Sequence, residues 1–174
     1  MSSRNTASLL QRDAGDLYDA ATAFIRIYQF RDRDHALRYG LTVVQAYTLD
    51  ILVSSGGQGL TGLASALRLD KSTMSRVISG MTKHGLVEWS RPEHDRRAKA
   101  IVASAEGRRR YQRLRRAIVR HNARLLASYP QAARQAAIDI LWQLAQRASR
   151  AQAAADVPSR RARHTAPASL SRGA

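Results

Sequence analysis

At 174 residues with 44% hydrophobic content, the chain is long enough for one domain with a real core. Its formal charge of +16 is extreme for a globular protein and makes a polyanion the natural partner, nucleic acid first and an acidic membrane surface second. The absence of cysteine excludes disulfides, thiolate metal sites and thiol nucleophiles, and no stretch reaches the roughly 20 apolar residues of a membrane span. The start, MSSRNTASLLQRDAG, lacks the continuous apolar core of a targeting segment, so a cytoplasmic location is expected. Charge is unevenly spread: residues 1–99 hold fourteen Lys or Arg against ten Asp or Glu, whereas residues 100–174 hold fifteen against three.

In chain order, Leu17, Ala21, Phe24, Ile25 and Tyr28 recur at spacings of three and four and predict an amphipathic helix from Ala7 to about Tyr39. Asp13, Asp16 and Asp19 then fall near its start, where the helix dipole favours them. Gly40 is a stop and Thr42 a cap for a second helix, with Val44, Ala46, Tyr47, Ile51 and Leu52 mostly apolar, ended by Gly56 and Gly57. A short helix from Leu60 to Leu67 carries Leu63, Ala64 and Leu67 on one face. After the break RLD, Asp70 caps a helix from Lys71 to Lys83 that Gly85 stops. Two short helices joined by a tight turn form a helix-turn-helix candidate.

LVEW (Leu86 to Trp89) and KAIVA (Lys99 to Ala103) read as the strands of a hairpin around a charged, proline-containing loop. Ser104 caps a long helix expected to reach about Tyr129, Pro130 breaks it, and a last helix is expected from Gln131 to Ala154. After Asp156 the tail has no acid, two prolines and little apolar content, so disorder is expected there.

Projected as a helix, Lys71 to Lys83 gathers Met74, Val77, Ile78 and Met81 on one side and Ser72, Ser75, Arg76, Ser79 and Lys83 on the other. Hydroxyls and one guanidinium suit the major groove, because Ser and Thr bond phosphates or base edges and Arg grips guanine bidentately. A plain solvated face is the alternative; the preceding short helix and following hairpin favour DNA. On the long helix Tyr111, Leu114, Ile118 and Leu125 line one face, and Arg109, Arg113, Arg116, Arg120 and Arg124 form an opposite stripe with no carboxylate between Gly107 and Ile138. That stripe is either a solvated face or a surface for an anion. Ile138, Leu141, Trp142, Ala145 and Ala148 give the last helix a thin apolar face expected to pack against a partner chain. None of the five histidines pairs at zinc spacing, so no metal is expected. No nucleophile motif, phosphate-cradling loop or catalytic carboxylate pair stands out, so neither a cofactor nor enzymatic activity is expected.

Three segments together resemble the MarR family of winged helix-turn-helix transcription regulators: LTVVQAYTL (Leu41 to Leu49), LASALRLDKSTMSRVISGMTKHGLV (Leu63 to Val87) and DRRAKAIVASAEG (Asp95 to Gly107). The last looks like the family's Asp-x-Arg wing signature followed by a strand and a capped helix. The resemblance implies a mainly α fold with a small β-hairpin, a winged helix-turn-helix module flanked by N- and C-terminal dimerisation helices. The segments would be a dimerisation helix at 1–40, the DNA-binding module at 41–104, dimerisation helices at 105–154 and a basic disordered tail at 155–174.

Carried over residue by residue, Ser72, Thr73, Ser75 and Arg76 become groove-facing contacts; Lys71 and Ser79 complete the helix set. Arg91, Arg96 and Arg97 become wing contacts, and Asp95 a wing organiser that holds an arginine by a salt bridge. The implied function is a homodimeric, sequence-specific repressor on a pseudo-palindromic double-stranded DNA operator with half-sites about one helical turn apart. A small phenolic or anionic effector would bind between the dimer helices and the module, near Tyr28, Tyr39 and Tyr47, although tyrosines there more often pack. The alternative is an architectural protein that coats DNA with little sequence preference. Gly59 and Gly62 depart from the family around the first short helix, removing a cap and lowering helix propensity by up to ~1 kcal/mol. Ala103 and Ser104 stand where Leu-Thr is common, so the strand end loses apolar contact while serine still caps.

Overall fold

The computed structural model describes residues 2–90 and 99–162, with side chains from 6 to 151 apart from residue 30. Six helices and one hairpin follow in the order α1 (Ser2–Arg38), α2 (Val43–Ser55), α3 (Leu60–Ala66), α4 (Lys71–Lys83), β1 (Val87–Ser90), β2 (Ala100–Ala103), α5 (Ala105–Leu126) and α6 (Gln131–Ala162). The architecture is mainly α with a two-stranded antiparallel sheet, as the residue pattern implies.

Local chemistry sets the boundaries. Thr42 and Gln45 form a reciprocal capping box: the Thr42 hydroxyl accepts from the Gln45 N–H at 3.2 Å, and the Gln45 side-chain oxygen accepts from the Thr42 N–H at 2.9 Å. Gly56, at φ 75°, closes α2 in the left-handed conformation that glycine adopts without steric cost. Gly59 provides α3 with no side-chain capping bond, the departure the sequence announces. In the hairpin, Val87 pairs with Ala103 and Trp89 with Ile101. Residue 58 joins as a one-residue third rung, with Gln58 N–H donating to the Ile101 carbonyl at 3.0 Å and Ile101 N–H to that of Gln58 at 2.8 Å.

The core sits where these elements converge. Leu41, Leu49, Leu52, Leu63, Met74, Met81, Leu86 and Ile101 are fully buried, with Ala36 of α1 and Leu114 of α5 closing the ends. Met74, Ile78 and Met81 are the apolar side of α4, as its 3.6-residue period requires. Thr48 is also buried, and its hydroxyl donates to the Val44 carbonyl at 2.7 Å, so the core holds no orphan there. Ser104 ties hairpin to helix: its hydroxyl donates to the Gly85 carbonyl at 2.6 Å and accepts from the Gly107 N–H at 3.0 Å. Gly107 itself lies so close to β1 that a Cβ there would fall 2.0 Å from the Leu86 carbonyl oxygen.

Three expectations are corrected. Helix α1 begins at Ser2 rather than Ala7, so Asp13, Asp16 and Asp19 lie several turns inside it and do not occupy its first turn. Helix α5 ends at Leu126 rather than near Tyr129; the chain then tightens through bonds from Ala127 N–H to the Arg124 carbonyl and from Tyr129 N–H to that of Leu126 before Pro130. Helix α6 runs to Ala162 instead of stopping at Ala154, so the tail expected to be disordered from residue 155 starts as helix; residues 163–174 lie outside those described.

The chain divides into two compact units, residues 1–122 and 123–174. In the first, the N-terminal two-thirds of α1 leaves Leu9, Leu10, Leu17, Tyr18, Phe24 and Ile25 exposed. In the second, α6 exposes Ile138, Ile140, Leu141 and Trp142, the last by 66%.

Candidate nucleic-acid interface

The polar side of α4 is built around its cap. Asp70 Oδ1 accepts from the Thr73 N–H at 2.7 Å and from the Ser72 hydroxyl, while Oδ2 accepts from the Thr73 hydroxyl at 2.6 Å. Arg76 Nη2 then donates to Thr73 Oγ1 at 3.2 Å, extending the chain of bonds by one helical turn. The two hydroxyls, Ser72 first, and the Thr73 N–H hold the Asp70 carboxyl well below the usual carboxylate range. The cap therefore does more than start the helix: it bonds the Ser72 and Thr73 hydroxyls and, through Thr73, reaches Arg76.

Lys71, Ser72, Ser75, Arg76, Ser79 and Lys83 are all exposed, and Thr73 is half-buried. The geometry thus brings the α4 candidates onto one solvent-facing surface. Beside them runs an open depression lined by Ser75, Ile78, Ser79, Thr82 and Lys83 of α4, Leu60 at the start of α3, and Trp89 of β1. Trp89 and Leu60 were missing from the sequence-derived set, because nothing local says that a strand residue and a helix start will meet beside α4. The wing candidates Arg91, Asp95, Arg96 and Arg97 lie outside the described residues.

The arginine stripe on α5 is less bare than expected. Glu106, one residue before the acid-free window, receives Arg110 at 2.7 Å and Arg109 at 2.9 Å, with Arg113 at 3.9 Å. These hydrogen bonds, Arg110's first, lower the Glu106 carboxyl below its ordinary value. The i, i+3 and i, i+4 placement of Arg109 and Arg110 after Glu106 is legible in the sequence.

Where α1, α2 and α5 meet, Tyr28 and Tyr39 are partly buried and Tyr47 is exposed. Tyr28 stacks on Phe24 with ring centroids 3.7 Å apart, and the Arg31 guanidinium lies 3.4 Å over its ring. Arg31 also pairs with Asp32 at 2.7 Å and donates to Asn122 Oδ1 at 3.0 Å, and the Tyr47 hydroxyl donates to Asp32 at 3.4 Å. Tyr39 packs against the core. His35 sits 5.9 Å from His121, ring to ring, and burial followed by the nearby Arg31 and His121 lowers its pKa. Tyr111 donates to Asp50, tying α5 to α2; burial and that carboxylate push its hydroxyl up to about 12.

Among the described residues, no group of His, Asp and Glu is placed to hold a metal ion, and no helix is long and apolar enough to cross a membrane. Comparison with known proteins follows the same lines. The family model described as MarR family matches residues 41–99. No curated protein sequence matches the chain. Among solved structures it is similar to a MarR family protein from Bacillus stearothermophilus, at 22% identity over 80% of this chain and 97% of that one, with a TM-score of 0.74. It is similar also to Staphylococcus aureus MarR in complex with salicylate and kanamycin, at 13% identity over 83% and 97% of the two chains, TM-score 0.69. A MarR transcriptional regulator from Methanosarcina mazei Go1 matches at 20% identity over 78% and 98%, TM-score 0.65. At these identities the structural likeness is one of fold. Residues 41–99 thus match the MarR family model, and the fold built around them is the winged helix fold of the MarR family structures.

Proposed function

We propose that the chain is a homodimeric, sequence-specific DNA-binding transcription regulator, a repressor that leaves its operator when a small phenolic or anionic effector binds. The observation that carries this reading is the ordered polar face of α4, where Asp70 sets Ser72 and Thr73, and Thr73 sets Arg76. Preorganised side chains lose little entropy on binding, so a helix laid in the major groove meets base edges with Arg76 already positioned, while the Ser72 and Thr73 hydroxyls, whose protons go to Asp70, are left to accept. Arg76 is the base reader, Lys71, Ser72, Thr73, Ser75 and Ser79 bond phosphates or base edges, and Arg91, Arg96 and Arg97 enter the flanking minor groove. The resemblance assigns Asp95 the role of holding one of these arginines. Guanidinium suits the narrow groove, whose negative potential it meets at modest desolvation cost.

The dimer follows from the exposed apolar residues of α1 and α6, which a second copy would cover. Two copies related by a twofold axis present two α4 helices to half-sites about one turn apart, which makes the operator a pseudo-palindrome. Salicylate, named in the Staphylococcus aureus relative, is the first effector to try.

The test is selection of bound duplexes from a random pool, followed by binding of selected and scrambled DNA at ~0.15 M salt. The regulator reading expects a selected sequence bound at least a thousandfold more tightly than the scrambled one, on the order typical of specific binders. A ratio near unity would instead favour an architectural protein, the reading supported by the excess of arginine on the C-terminal half. Arg76→Ala should cost about 1–3 kcal/mol on the selected sequence and relax preference at one position; equal loss on every sequence would make Arg76 a phosphate contact.

A further inference from the structure

The depression beside α4 combines two chemistries. Its floor is the buried Ile78, and its walls are Leu60 and Trp89, the latter 50% exposed. Trp89 lies opposite Ile101 in the hairpin and two residues from the buried Val87, so it belongs to the inward face of β1. It is nonetheless half exposed and lines the depression. Along the rim stand the donors Ser75, Ser79 and Lys83, with Thr82, whose hydroxyl donates to the Ile78 carbonyl at 2.9 Å.

An apolar wall directly beside hydroxyl and ammonium donors matches one base in the major groove. Thymine alone presents a methyl group next to the O4 acceptor; cytosine offers an amino donor and no methyl, and the purines offer neither methyl nor apolar bulk there. Resting on the reading of α4 as the major-groove helix, we infer that this depression is a thymine-reading site: Trp89 and Leu60 take the 5-methyl group, while a rim donor of α4 bonds O4. Lys83, at the far end of the rim, meets the adjoining phosphate. The base specificity of the chain is thus set from β1 and α3 as well as from α4.

The test uses the full-length chain and the duplex selected from the random pool, with each thymidine replaced singly by deoxyuridine, which removes only the methyl. Wild-type protein should lose about fourfold in affinity at one thymidine per half-site, the worth of one buried methyl group. Trp89→Ala and, independently, Leu60→Ala should bind the thymidine and deoxyuridine duplexes equally, whereas Trp89→Phe should keep the discrimination. Thermal unfolding of each variant confirms that the fold is retained. The inference is overturned if no deoxyuridine replacement weakens the wild type, or if Trp89→Ala discriminates as the wild type does, both while sequence-specific binding persists. A pool that yields no preferred sequence overturns the regulator reading and this inference with it.

Discussion

Residues 41–122 and helix α6 differ in what their apolar residues have found. In the module each element contributes to one core: Leu41, Leu49, Leu63, Met74, Met81, Leu86 and Ile101 are fully buried, and Leu114 joins them from α5. In α6 the large apolar side chains Ile138, Ile140, Leu141 and Trp142 remain exposed, although alanines and a 32-residue length keep the helix formed. Helix propensity builds a rod, but only packing builds a domain. The module buries its own core, whereas α6 holds apolar surface that the proposed dimer would cover.

Four changes break or sharpen this contrast. The largest effect is expected at Gly107, where a new Cβ would fall on the Leu86 carbonyl oxygen. Gly107→Ala should cost about 3 kcal/mol or more in denaturant unfolding, because backbone on both sides must move. A loss under ~1 kcal/mol would mean that α5 and β1 are less tightly locked than the geometry implies.

Next comes the complementary change in α6. Trp142→Asp should leave unfolding of the module within ~0.5 kcal/mol of wild type, as a surface substitution does. The same variant should weaken self-association by about 2–3 kcal/mol, as loss of a buried aromatic anchor does, read by sedimentation across a concentration series. Equal self-association in variant and wild type would leave the Trp142 face of α6 outside the dimer.

Smaller again is Thr42→Ala, which removes half of the capping box on α2. A loss of about 1 kcal/mol is expected in the module alone, with self-association unchanged. The smallest effect concerns Tyr111, whose pKa is pushed above the ordinary 10.0 to about 12 by burial and by Asp50. The neutral hydroxyl therefore contributes stability that is fully present below pH 10 and is lost as pH rises through about 12. Tyr111→Phe should flatten stability over that window; an unchanged slope would show that the Asp50 contact does not matter to folding.

How much of this was legible depends on range. Thr42 and Asp70 as caps, Gly40, Gly56 and Gly85 as stops, and the Met74, Ile78 and Met81 face of α4 all follow from interactions within one turn. Those interactions are local. The start of α1 was misplaced because Ser2, Ser3, Asn5 and Thr6 have modest propensity, and propagation from the better helix formers downstream carries them. The Gln58 rung on β2, the closeness of Gly107 to Leu86 and the meeting of Leu60 with Trp89 arise between elements far apart in the chain. Periodicity contains no record of them. At the candidate interface, Ser72, Ser75, Arg76 and Ser79 were visible as a stripe, whereas the control of Ser72, Thr73 and Arg76 by one carboxylate needed coordinates.

Acidic side chains are scarce here, thirteen against twenty-nine Lys and Arg, and scarcity changes their job. Glu106 gathers three arginines, Asp32 gathers Arg31 and Tyr47, and Asp70 gathers two hydroxyls and a backbone amide. Each works as a hub whose removal disorders a neighbourhood instead of deleting a single pair. Neutralising Glu106 would remove the acceptor that Arg109 and Arg110 bond and that Arg113 faces. In such a chain the rare negative charge governs where the abundant positive charge can point.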